Sequence, residues 1–359
     1  MSEFPTHPDH VTPEWLCDVL EGTNALDAGA VTSVAWRPIG TGQVGDSVRF
    51  ELTHESEETS TLAAKFAAED STSRGTAQMM RLYEKEVRFY NEIAPDLACR
   101  LPRTFASEVG EGGATCLLLF EDLGPARSGN QIAGCDIADA RHAILQAAAV
   151  HAPSWQREEL IGKDWLKTPE AIAAQIGGMY AHAQTIFAER YADVLEPGYM
   201  DLCEQFAPHF DALSAHSKPP QCLVHGDFRL DNMLFDVKGG AEPIAILDWQ
   251  TVTSGKAMTD IGYFLGTGIG NDLRRAHEDE LLELYLSAMA ARGVLLTRDD
   301  IWDDYRIGAL SGLATSVFSA AFVERTDRGD ANFLSMVRGA CGLALDHGSV
   351  EALREASGQ

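Results

Sequence analysis

The stretch Leu223–Asp236, LVHGDFRLDNMLFD, sets a histidine, three aspartates, an arginine and an asparagine between apolar ends. Buried strands seldom carry that much charge without a reason. Asp227 and Asn232 stand five residues apart in a loop between apolar runs, and Asp248 follows sixteen residues after Asn232 at the end of PIAILDW. An amide oxygen and a carboxylate at strand ends suit a hard cation such as Mg2+. That leaves Asp227 free to accept a proton from a hydroxyl. A base, an asparagine for metal and an aspartate for metal are the parts that phosphoryl transfer requires. A lone His-Gly-Asp reads as a polar turn with local caps. The HGDxxxxN spacing with a strand-terminal aspartate downstream reads as chemistry.

Two features nearer the start of the chain bear on this. GTGQVGDSV, Gly40–Val48, lies between two strand-like segments rather than between a strand and a helix. That context suits a glycine loop laid over phosphates, not a dinucleotide-binding turn. Gly40, Gly42 and Gly45 would offer backbone N–H groups, and Ser47 a hydroxyl. The glycine pattern is weak by itself and gains weight from its company. Lys65 sits between Ala64 and Phe66 in a strand-like run. A lysine among apolar neighbours must reach water or find a partner. Glu84, Glu86 and Glu92 lie on the next helical segment. Glu86 is preferred, because Phe89 and Tyr90 at i+3 and i+4 put it on a partly buried face. A Lys-Glu pair in this layout would hold the α- and β-phosphates of ATP.

The pattern further out defines the fold class. Strand-like segments cover Val31–Trp36, Ser47–Thr53 and Thr61–Ala67, a helix Thr76–Ile93, and two more strands Arg103–Glu108 and Ala114–Phe120. An antiparallel sheet with one main helix follows, an α+β lobe. A short leading helix, residues 12–21, precedes it, with Thr12 as N-cap and Pro13 at its first position. After FEDLGPARSGN the chain turns helical, over Asp136–Ala152, Glu170–Arg190 and Met200–Leu213. Two short strands flank the opening motif. Helix resumes after Asp272, with Gly293 and TDRGD as breaks. The expected division is an N-terminal lobe of residues 1–123 and a helical C-terminal lobe of residues 124–359.

Composition limits the partners. The chain has 359 residues and a net charge of -26. Such a field repels nucleic acid and anionic membranes. The seven cysteines are odd in number, scattered and without a CxxC pair, which argues against a disulfide framework or a zinc site. The polar start MSEFPTHPDH and the lack of a long apolar run read as cytoplasmic.

Together EVRFY, FEDL, HGDFRLDN and ILDWQ resemble the aminoglycoside phosphotransferase and choline kinase superfamily, closest to its ecdysteroid-kinase-like branch. The resemblance implies a bilobal protein-kinase-like fold and a kinase that uses ATP and Mg2+ on a hydroxyl of a small organic molecule. It implies a phosphate loop of Gly40, Gly42, Gly45 and Ser47, and an anchoring pair of Lys65 and Glu86. Glu121 to Leu123 become an adenine-binding hinge. Asp227 becomes the catalytic base, with Asn232 and Asp248 as metal ligands. Asp260 and His225 become braces of the catalytic loop. HGD replaces the HRD of protein kinases, so no arginine is there to read an activation-loop phosphate. Arg229 is open between stabilising transition-state charge and pairing with Asp231 at the surface. Trp302, Tyr305, Phe318 and Phe322 are either an apolar acceptor pocket or core, and core is the commoner fate of such spacing. An antibiotic kinase for aminoglycosides or macrolides is the alternative to a metabolic one, and a non-catalytic nucleotide-binding regulator the third reading.

Overall fold

A computed structural model describes residues 4–40 and 44–358. Its first sheet contains β1 (Val31–Pro38), β2 (Gly45–His54), β3 (Thr59–Ala67), β4 (Thr104–Val109) and β5 (Cys116–Glu121). The spatial order is β1-β2-β3-β5-β4, antiparallel at every step. Side chains alternate across a strand, and here both faces are covered. On one face Leu117 and Leu119 pack with Phe50, Leu62, Leu16 and Leu20, the last two from helix α1 (Pro13–Leu20). On the other face Cys116 and Leu118 pack with Tyr83, Val87 and Phe89 of helix α3 (Leu82–Glu92). The same alternation in β3 sends Leu62, Ala64 and Phe66 to the α1 side. Lys65 therefore faces α3.

The single helix expected over Thr76–Ile93 is two helices, α2 (Ser71–Met79) and α3. The break is at Arg81, whose backbone is left-handed with φ 58°. Its guanidinium grips Glu84 through two bonds of 2.8 Å, which holds the corner. Apolar spacing continues across such a corner and hides it.

The rest of the chain is mainly helical. It contains β6 (Arg127–Ser128), α4 (Ile137–Ser154), α5 (Glu158–Ile161), α6 (Glu170–Tyr191), α7 (Pro197–Phe206) and α8 (Phe210–Ala215). Met200–Leu213 was expected as one helix, and the break between α7 and α8 falls at Pro208, where a helix loses an N–H donor. Next come β7 (Cys222–Val224), β8 (Met233–Asp236), the single turn α9 (Val237–Gly240), β9 (Glu242–Ile246) and β10 (Thr253–Gly255). β8 pairs with β6 and β9, and β7 with β10. Helices α10 (Ala257–Thr267), α11 (Asn271–Ala290), α12 (Arg298–Phe322), α13 (Asp327–His347) and α14 (Ser349–Ser357) complete the fold. The TDRGD segment, expected as a break, instead starts α13, with Thr326 as N-cap accepting from Gly329 N–H. One apolar cluster runs from the α3 face of the sheet through β7, β8 and β9 into these helices. All seven cysteines are free. Among the described residues no helix is long and apolar enough to cross a membrane.

Helix α10 lies before Asp272, where the sequence pattern predicted no helix. Gly262 and Gly266 lower its intrinsic propensity. The glycines are there for contact. A Cβ on Gly308 of α12 would stand 2.0 Å from the Met258 carbonyl oxygen, and one on Gly262 would stand 2.5 Å from the Gly308 carbonyl carbon. The two helices cross backbone against backbone. Gly308→Ala should therefore overpack the crossing and cost about 1–3 kcal/mol. A lowered denaturation midpoint would register this, and an unchanged midpoint would show that the crossing opens freely.

Candidate active site

Four stretches of chain converge. Lys65 Nζ lies 2.6 Å from Glu86 Oε2 and 2.9 Å from Asp248 Oδ1. Burial works against its charge, but Asp248 and Glu86 outweigh that and hold the ammonium above the usual lysine range. Glu86 is 2 % exposed. Burial pushes its carboxyl up, against the pull of Lys65. One cation is thus shared by two carboxylates.

Asp248 is brought there by local geometry. It follows β9 in the left-handed region, φ 61°. The next residue, Trp249, is fully buried and stacks on Phe89 of α3, with ring centres 4.1 Å apart and planes 5° from parallel. Such a stack adds roughly 0.5–1.5 kcal/mol beyond area burial. It fastens the helix that carries Glu86 to the turn that carries Asp248.

Asn232 precedes β8 and Leu247 follows β9, and Leu247 N–H donates to the Asn232 carbonyl at 2.9 Å. Asn232 and Asp248 therefore stand at the same end of one antiparallel pair. The Asn232 amide nitrogen donates to Asp227 twice, to its carbonyl and to Oδ2, each at 2.9 Å. Its Oδ1 has no donor among the described residues. The Asp248 side chain is 33 % exposed. These two hard oxygen donors, one unpartnered and one reachable from solvent, fit a divalent cation.

Asp227 lies in the turn after β7. Oδ2 accepts from Asn232 and from Arg229 Nε at 3.1 Å, and Oδ1 accepts from the Tyr263 hydroxyl at 2.8 Å. Burial opposes its charge, but Arg229, Tyr263, His225 and Asn232 together hold the carboxyl below its usual range. Arg229 also reaches Asp231, at 3.4 Å. It touches Asp231, the partner expected from the sequence, and also Asp227, which is the nearer.

The loop is braced from behind. His225 N–H donates to Asp260 Oδ2 at 2.7 Å and Gly226 N–H to Asp260 Oδ1 at 3.0 Å. His225 Nδ1 accepts from Asp227 N–H at 3.3 Å, so Nε2 carries the hydrogen given to the Leu247 carbonyl at 2.8 Å. Gly226 has φ 81°, and a Cβ there would stand 2.7 Å from the Thr251 carbonyl oxygen. Only glycine fits that turn. His151 Nε2 lies 3.2 Å from Asp260 Oδ2.

The other expected residues lie as follows. Gly45 opens β2 against the Lys65 stem, and Ser47 is the cross-strand partner of Lys65. Gly40 has φ 75° and open space around it. Gly42 lies outside the described residues. Glu121 ends β5, its N–H donating to the Arg103 carbonyl and its carboxylate held by Arg100 at 2.7 Å. The Leu123 carbonyl accepts from Lys238 N–H at 3.1 Å. Tyr305 is buried and donates to Glu278, so it is core rather than pocket wall. Sequence reasoning missed Tyr263 and His151. The signal for Tyr263 was its place three residues after Asp260, one helical turn on the same face. His151 carried no signal, 109 residues from the aspartate it meets.

The family described as ecdysteroid kinase-like matches residues 47–296. Among curated proteins, acyl-CoA dehydrogenase family member 11 of Mus musculus is 34 % identical over 84 residues, 21 % of this chain and 11 % of that protein. Acyl-CoA dehydrogenase family member 10 of Mus musculus is 51 % identical over 41 residues, 11 % of this chain and 4 % of that protein. The matches thus span about a tenth or less of those longer relatives. Among solved structures, a microcompartment-associated aminopropanol kinase superimposes with a TM-score of 0.52 at 18 % identity, covering 90 % of this chain and 94 % of the other. That likeness is one of fold. With more than half of its length matched, the chain belongs to the ecdysteroid kinase-like family.

Proposed function

We propose that this chain moves the γ-phosphoryl group of ATP onto a hydroxyl of a small organic molecule, with Asp227 as base. The observation that carries the reading is the convergence of Lys65, Glu86, Asp248, Asn232 and Asp227 from chain positions up to 183 residues apart. In this reading residues 1–123 form the nucleotide-binding lobe, and residues 124–359 carry the catalytic loop and the acceptor site. Gly40, Gly42, Gly45 and Ser47 cover the phosphates, and Glu121 to Leu123 meet the adenine. Lys65, pinned by Glu86, offers its ammonium to the α- and β-phosphates.

Asn232 and Asp248 would hold Mg2+, which when bound neutralises charge on the phosphate oxygens. The acceptor oxygen bonds to the γ-phosphorus as the bond to the bridging oxygen breaks. ADP leaves, and the hydroxyl proton passes to Asp227. Because its carboxyl is held below the usual range, Asp227 is ionised and ready to orient the hydroxyl at neutral pH. Arg229 lies against Asp227, where a guanidinium can offset charge on the transferred group.

Asp227→Asn should lower kcat by roughly 10²–10⁴-fold. Calorimetry should find ATP binding intact, and full turnover in this variant would overturn the base assignment. Asp248→Ala should weaken Mg2+-dependent ATP affinity by roughly tenfold or more, about 1.4 kcal/mol. An unchanged affinity would remove Asp248 from the metal site. Lys65→Ala should raise the KM for ATP, and a KM equal to wild type would count against the anchor. The acceptor is sought with a panel of ecdysteroids, amino alcohols, aminoglycosides and macrolides, scored by ADP release and by phosphate mass gain. ADP release with none of them and none with water would refute the kinase reading.

A further inference from the structure

We propose that Tyr263 is a positioning residue for Asp227, and that it leaves Oδ1 as the carboxylate oxygen that receives the acceptor's hydrogen. The inference rests on the reading of Asp227 as the base. An ionised carboxylate offers about four lone-pair sites, two on each oxygen. Asn232 Nδ2 at 2.9 Å and Arg229 Nε at 3.1 Å fill both sites of Oδ2. The Tyr263 hydroxyl at 2.8 Å fills one site of Oδ1. One site remains, on Oδ1, and the direction of that site is set by the hydrogen bond beside it.

The support behind Tyr263 is rigid. Its ring is 1 % exposed. It stands one turn beyond Asp260 on α10, the residue that takes the backbone N–H groups of His225 and Gly226. One helix therefore grips both the backbone of the catalytic turn and the side chain of its aspartate. The crossing at Gly262 and Gly308 leaves α10 no room to shift toward α12. Burial and the Asp227 carboxylate raise the Tyr263 phenol well above its usual range, so it stays a donor.

A buried tyrosine also needs a partner for its own hydroxyl, and a purely structural role would use the same contact. A double-mutant cycle separates the two roles. The full chain is assayed with ATP and Mg2+ for ADP release, with water as acceptor, in four forms: wild type, Tyr263→Phe, Asp227→Ala and the double variant. Phenylalanine keeps the ring and its packing. The expected result is a fall in kcat of about tenfold to a hundredfold in Tyr263→Phe, as for a reacting group slightly misplaced, with the KM for ATP and the melting temperature little changed. In the Asp227→Ala background the same change should have no further effect. Wild-type kcat in Tyr263→Phe with Asp227→Ala inactive would overturn the role of Tyr263 alone. An equal fall in the Asp227→Ala background, or a fall that tracks a lost melting temperature, would make Tyr263 structural and overturn the proposal. Wild-type turnover in Asp227→Ala, or none in the wild type with water or any acceptor of the panel, would overturn the reading of Asp227 on which it rests.

Discussion

One ammonium between two carboxylates ties this molecule together. Lys65 comes from the middle of a sheet, Glu86 from the helix beneath it and Asp248 from the turn after β9. Lys65 and Glu86 are largely out of water, so neither charge is tolerable alone. The pairing obliges the strand, the helix and the Asp248 turn to adopt one relative placement. The stack of Trp249 on Phe89 reinforces the same join with apolar contact. Charge and packing agree here, which is the mark of a well-specified arrangement. Two carboxylates against one ammonium also leave the group one charge negative, and that surplus is what a divalent cation would meet.

A second constraint lies behind the catalytic turn. Asp260 accepts from two successive backbone N–H groups, those of His225 and Gly226, and His151 lies against it within a fully buried setting. Asp227 has no such freedom either, since both of its oxygens already accept from protein donors. The turn is held by contacts within the protein itself, and in the proposed reading such preorganisation would remove a cost from the reacting step. The whole arrangement depends on two glycines that let α10 and α12 touch backbone to backbone. They lower helix propensity locally and gain a contact that no other residue permits.

Net charge and site charge point in different directions. The chain carries -26 overall, yet its site is built around Lys65 and Arg229. The general acidity concerns solubility and the exclusion of polyanions. In the proposed reading the local cations would meet phosphate, for which a guanidinium and a pinned ammonium are well suited. Composition spoke only of nucleic acid and anionic membranes, and the placing of these two cations is decided by the fold.

Much was legible in the sequence because it depends on local period or on residue type. Strand-like patterning in β2 and β3 predicted the sheet, and a lysine between apolar neighbours called for a partner, with Glu86 preferred. HGDxxxxN with a distant strand-terminal aspartate named Asp227, Asn232 and Asp248, because their chemistry is unusual among apolar neighbours. Three matters were decided only by the tertiary structure. The bend at Arg81 interrupts an unbroken apolar period, since a left-handed residue leaves no trace in spacing. Helix α10 was hidden by glycines whose purpose is a neighbour's backbone. The meeting of Tyr263 with Asp227 and of His151 with Asp260 joins residues 36 and 109 positions apart. A sequence lists donors and acceptors, and only the folded chain determines which of them are close enough to pair.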